Sequence, residues 1–248
     1  MADLAIYRYK TACMQRIQAL AVRGYGRYIS GTIGHKKALK LVQKFQEKYH
    51  TDLNENQRVY RKKKGLANTK LIMYPKANSN EFLWWLLVTE GKGEVEKLEA
   101  LKGVTEARTR LQWFDDYEMV KILREGCAKP NITWRMTKQC YNSWHTRIRH
   151  AVRSNSEMNL KQTTWSLHRV PGFSELRLQV KQLRALTIRE WQRVKANDGT
   201  LPVMPRSVTY VTNADTSTVP LSQIVRRMEL GMRPFPRQDN VKVLVETA

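Results

Sequence analysis

Glu90 and Lys92 stand two residues apart in the stretch TEGK (Thr89 to Lys92), directly after an apolar run. A carboxylate delivered by the end of a buried strand, with a lysine beside it, can hold Mg²⁺ and orient an attacking water. Such a site needs further carboxylates, and Asp115, Asp116 and Glu118 are the nearest supply. A chain this rich in lysine produces Glu-x-Lys by chance, so a Mg²⁺-dependent nuclease built on Glu90 and Lys92 is the alternative reading, not the leading one. The histidines, His35, His50, His145, His150 and His168, make no HxH or HExxH pattern. Cys13, Cys127 and Cys140 are odd in number and lack CxxC spacing, which argues against a disulfide framework and a zinc ribbon. They read as small buried hydrophobes in a reducing, cytoplasmic setting. No nucleophile is marked, and neither a cofactor nor a metal is implied.

The stronger chemical signal is charge. Forty-four Lys and Arg face twenty-two Asp and Glu, a formal +22 in 248 residues. Residues 1–80 hold 17 basic and 4 acidic side chains, net +13, and residues 126–195 hold 14 and 3, net +11. Between them, residues 81–125 hold 7 and 10, net −3, and residues 196–248 are near neutral with 6 and 5. Two basic blocks around an acidic centre imply surfaces that attract a polyanion, and a strand neutralised at several phosphates is bound with steep salt dependence.

The cations are ordered as well as numerous. In GHKKALKLVQKFQEKYH (Gly34 to His50), Lys37, Lys40, Lys44 and Lys48 recur at steps of three and four, and Ala38, Leu41, Val42, Phe45 and Tyr49 do so on another side. That is an amphipathic helix with a lysine stripe. Arg58, Arg61, Lys62, Lys63 and Lys64 crowd one polar stretch, His145, Arg147, Arg149 and Arg153 share a second helical stripe, and Arg177, Lys181 and Arg184 a third. Aromatic residues are interleaved with them. Tyr25 and Tyr28 flank Arg27, Tyr60 precedes Arg61, and Trp165 lies four residues before Arg169. Aromatic faces stack on unpaired bases while arginine holds the backbone, so the pattern favours single-stranded or structured RNA or DNA. Trp84, Trp85, Trp144 and Trp191 read instead as core filling. GYGRYISGTIG (Gly24 to Gly34) has enough glycine to cradle a phosphate, but it fits no nucleotide-loop pattern, and turn geometry is its better reading.

These side chains need a scaffold. Asp3 is a helix cap for a segment reaching Arg23. Residues 24–34 read as a short strand or turn, 52–68 as a long loop, and 94–107 as a short helix. Strands are expected near 69–75, 82–90, 111–122 and 131–137, the second buried on both sides. Helices follow at 138–153 and from Ser174 onward, with Leu176, Val180, Leu183, Trp191 and Val194 on the buried side, after a polar break at 154–159. The end of the chain reads as a strand at 207–212, a helix at 220–231 capped by Thr218, and a strand at 241–246.

The expected class is therefore α+β, with a mixed or antiparallel central sheet, basic amphipathic helices and a small C-terminal α/β unit. Residues 1–195 form the basic domain and 196–248 a neutral docking unit. The expected function is non-catalytic nucleic-acid binding, as an accessory subunit in replication, transfer or an RNA-guided process of a bacterium, plasmid or phage. Protein partners would meet the acidic centre and the C-terminal region. A third option, a peripheral membrane protein held by anionic lipid, requires the apolar side of the lysine-striped helix to be free.

Overall fold

The computed structural model describes residues 3–154, 156–195, 201, 203–211 and 216–236. The chain begins β1 (Ala5–Tyr7), α1 (Lys10–Val22), β2 (Arg27–Gly34), α2 (His35–Tyr49) and α3 (Glu55–Lys63). It continues β3 (Thr69–Pro75), β4 (Glu81–Val88), α4 (Glu94–Leu98), β5 (Lys102–Gly103), β6 (Gln112–Trp113), β7 (Tyr117–Ile122) and β8 (Asn131–Met136). Three helices follow, α5 (Lys138–Arg153), α6 (Glu157–Leu167) and α7 (Ser174–Lys195), then β9 (Thr218–Pro220) and α8 (Leu221–Glu229). The class is α+β with antiparallel sheets. The four expected strands divide between two of them: β3-β4-β2-β5 forms one sheet and β6-β7-β8 another, while β1 pairs with β9.

β4 is the centre of the larger sheet, and its apolar run is explained by burial on both faces. Trp85 and Leu87 look toward one core, with Tyr28 and Ile72 from the neighbouring strands. Phe82, Leu86 and Val88 look toward the other, with Leu71 and Met73. The period-2 alternation of strand side chains thus separates two cores across one sheet. The first core takes in α1, the β6-β7-β8 sheet and α5 to α7. The second takes in α2 and α8 through Ala38, Val42, Phe45, Leu221, Ile224, Val225 and Met228.

Several local expectations change. Of the short strand or turn read over residues 24–34, the strand is what forms: residues 27–34 pair with β4 along their length, so the backbone groups on that edge serve the ladder. Gly31 is required because a Cβ there would sit 2.8 Å from the Trp84 ring. Asp3 does not cap α1, whose cap position is Tyr9 with no side-chain bond to the first turn. It accepts from the Ser222 amide at 3.3 Å and from Ser222 Oγ at 2.5 Å, at the start of α8. Residues 52–68 contain α3, opened by a reciprocal capping box between Asn54 and Gln57. The helix expected over 94–107 stops at Leu98 and gives way to β5.

α6 follows the polar break and had no counterpart in the pattern read above. Val194 is exposed, while Leu176, Val180, Leu183, Leu186 and Thr187 are buried and Trp191 packs half-buried against the same core. Among residues 203–211 there is no strand, Thr218 lies in β9 instead of capping α8, and residues 241–246 lie outside the described residues. α8 shares its core with α2, so this C-terminal helix is packed into the body of residues 1–195.

Candidate nucleic-acid interface

α2 forms as its pattern requires, with Ala38, Val42, Phe45 and Tyr49 buried and Leu41 half-buried beside them. Lys36, Lys37, Lys40 and Lys44 are exposed, and no ion pair holds them among the described residues. Lys48 lies half-buried, its Nζ 5.8 Å from the Tyr49 ring centre. With Ala38, Val42, Phe45 and Tyr49 packed inside, this helix lacks the free apolar stripe that lying on a bilayer requires. No helix among the described residues is long and apolar enough to cross a membrane.

The next candidates separate into scaffold and surface. Arg58 is scaffold: its guanidinium donates to the Leu53, Thr51 and Thr69 carbonyls and to Tyr25 Oη, at 2.8 to 3.0 Å. Arg61 donates to the Ala67 carbonyl from Nε and Nη2. Lys62, Lys63 and Lys64 stay exposed at the end of α3, with Tyr60, 62% exposed, under Lys64. Arg27 is paired with Glu96 at 2.5 Å and donates to the Thr89 carbonyl, so its charge is already matched within the chain. Tyr28 is a correction. It is 4% exposed, its hydroxyl donates to the Thr109 and Arg110 carbonyls, and burial pushes its pKa up to about 12. A ring so enclosed has no face for a base, and Tyr25 is buried likewise.

The remaining candidates come together on α5, α6 and α7. Thr137 caps α5, its Oγ1 accepting from the Cys140 amide at 3.2 Å. Ser156 caps α6 by accepting from the Asn159 amide, and Glu157 in the first turn suits the helix dipole. Leu160, Thr164 and Leu167, at steps of four and three, turn α6 inward and leave its other side open. Between α5 and α6 runs a cleft lined by Arg147, His150, Asn159, Gln162, Thr163 and Ser166. It shares Gln162 and Ser166 with a shallow depression formed by Lys161, Trp165 and Arg169. Trp165 is 46% exposed there.

No carboxylate lines this continuous path, while hydroxyl and amide groups alternate with cations. The Arg147 guanidinium stands 4.4 Å from the Trp144 ring centre, a cation–π pair that holds it in place. Arg153 is exposed at the end of α5. Arg149 is bound to Glu190, whose carboxyl is held below the usual range chiefly by Arg193 and then by Arg149. His145 lies against Tyr141, ring centres 5.0 Å apart, and its pKa is lowered by burial, then by Arg149 and Arg189, which favours its neutral form. On α7, Arg177 donates to the Val208 carbonyl at 2.7 Å, while Lys181 and Arg184 line a cavity beside it.

Sequence reasoning missed Asn159, Gln162, Thr163 and Ser166 because α6 itself was missed. The Ser156 cap with Leu160, Thr164 and Leu167 behind it was the available signal. Of the cysteines, Cys13 is buried, Cys140 is half-buried and Cys127 is exposed.

Part of the acidic centre is turned on its own chain. Glu118 lies between Arg110 and Arg135, Glu81 meets Lys76, Glu96 meets Arg27, and Glu99 accepts from the Tyr49 hydroxyl. Among the described residues no three of His, Cys, Asp and Glu converge as a metal would require, so Glu90 does not join Asp115 and Asp116 in such a group. No protein-family model, no curated protein and no solved structure matches this chain.

Proposed function

We propose that the protein binds single-stranded or structured RNA or DNA without acting on it chemically, as a cytoplasmic accessory subunit of a nucleoprotein complex. The observation that carries this reading is the carboxylate-free path from Arg147 through Gln162 and Ser166 to Trp165, Lys161 and Arg169. Cations along it meet successive phosphates, the amides and hydroxyls accept and donate to sugar and base edges, and the exposed indole offers a stacking face. Unpaired bases suit such a ring; a closed duplex does not present them. Protein partners would meet the exposed carboxylates of the centre, among them Glu90, Glu94, Asp115 and Asp116.

Fluorescence anisotropy with labelled single-stranded RNA, single-stranded DNA and duplex tests the reading. Trp165→Ala should weaken single-strand binding by about 1–3 kcal/mol, the range for one stacked base. Arg147→Gln and Arg169→Gln should each flatten the slope of log K against log salt by about 0.7 for a single strand. Unchanged affinity and slope in all three variants would remove this path from the interface. The same incubations with Mg²⁺ and then EDTA read cleavage directly. Strand scission lost with EDTA and with Glu90→Ala would replace the binding reading by the nuclease one.

A further inference from the structure

Beside α7 lies a cavity of about 370 Å³ whose lining includes Arg124, Arg177, Lys181, Arg184 and Arg206, with no acidic side chain. The segment 203–211 forms one wall. It is fixed by the Arg177 bond to the Val208 carbonyl and by Gly172, where any side chain would collide with the Thr209 carbonyl. Five cations gathered on one small volume repel each other unless an anion joins them, and Glu175, which lies outside the lining, pairs with Arg124 alone, at 3.0 Å.

Two lining residues carry buried nitrogens without a protein partner, Arg184 Nε and His168 Nε2. His168 donates from Nδ1 to the Thr164 carbonyl at 2.7 Å, which leaves Nε2 as the lone-pair atom of the neutral ring. Buried polar groups are ordinarily satisfied, so both nitrogens lack a partner that a bound molecule could supply after a small shift of the side chain. Nε2 of the neutral ring can accept the hydrogen of a monoprotonated phosphoryl group.

We infer that this cavity binds a phosphate monoester. A monoester carries close to two negative charges at neutral pH and three strong acceptor oxygens, which suits this density of arginine better than the single charge of a diester. The volume fits a phosphorylated sugar or nucleotide, not a continuous strand. Tyr210, 59% exposed, holds the Arg177 guanidinium 3.3 Å from its ring centre and provides an aromatic wall for what the phosphate carries. The source is a free nucleotide or the phosphorylated end of a bound strand; the strand-end source rests on the nucleic-acid reading, while the free nucleotide stands apart from it.

The test uses the full chain, AMP with adenosine as its control, and one oligonucleotide ending in 5′-phosphate, 3′-phosphate or hydroxyl groups only. Lys181 and Arg206 are exposed, and Lys181→Ala with Arg206→Ala removes two charges from the cavity. Lys37→Ala with Lys40→Ala removes two from α2, across the central sheet. AMP, or a phosphate-ended strand, should bind at least tenfold more tightly than its hydroxyl counterpart. That preference should vanish in the first double variant and survive in the second. AMP binding without an end preference assigns a free phosphoester, and an end preference without AMP binding assigns the strand terminus. Equal affinities for phosphate and hydroxyl forms throughout would overturn the cavity while leaving general strand binding intact. AMP binding by a protein that takes up no oligonucleotide would leave the cavity standing and remove the proposed function.

Discussion

Single residues show how many cations of this chain are committed to its own fold. Arg58 is the clearest case, spending its guanidinium on three carbonyls and a phenol. Lys70 is another. Its side chain is half-buried on β3, and burial first, then Arg58 and Arg16, lowers its pKa to about 8. The unfolded chain holds that proton up to about pH 10.4, so it binds more protons than the folded one between the two values. The Lys70 contribution to stability should therefore rise as pH increases from 8 toward 10, against the opposite contribution of the Cys13 and Cys140 thiols, which burial pushes up. Urea unfolding at a series of pH values checks this, and Lys70→Met should be more stable at pH 7 and lose that rise. Gly31 is committed for space instead of charge. Gly31→Ala drives a methyl against the Trp84 ring and should cost about 1–3 kcal/mol, the usual range for overpacking. An unfolding midpoint unchanged by this substitution would mean that Trp84 moves aside freely.

At the scale of elements, the contrast between α2 and α3 is instructive. Both are strongly basic, but α2 buries a stripe against the sheet and α8, whereas α3 buries no residue and is held by its capping box and by Arg58 and Arg61. α8 depends on a residue almost a chain length away. Asp3 satisfies the Ser222 amide and hydroxyl at its first turn, and Asp3→Ala should lower stability by about 1 kcal/mol, the usual value of a helix cap. Asp3→Asn, which keeps the acceptor, should recover most of it. Thermal unfolding of the two variants separates the cap from a general effect of N-terminal charge.

For the whole molecule, the decisive fact is that the four-stranded sheet stands between the α2 lysines and the α5–α7 arginines. Short oligonucleotides bound on the helical layer should then ignore charge reversal at Lys40 and Lys44, whereas long strands that reach around the molecule should lose affinity and salt slope. Measuring both lengths with Lys40→Glu, Lys44→Glu checks the arrangement; a short strand weakened as much as a long one would place both basic regions on one side. From sequence alone came the α+β class, the apolar strand β4, the β3–β4 hairpin, α2 and α5, because periodic burial is written locally in residue order. The same order supplied the excess of cations and the exposed Trp165 with Arg169. Tertiary structure alone decided which cations stay free and which are bonded inward, that Asp3 caps a distant helix, and that α6 completes a carboxylate-free path with α5. Those outcomes depend on which segments meet across the sheet, and a hydrogen-bond acceptor arriving from far along the chain leaves no periodic trace beside the residue it captures.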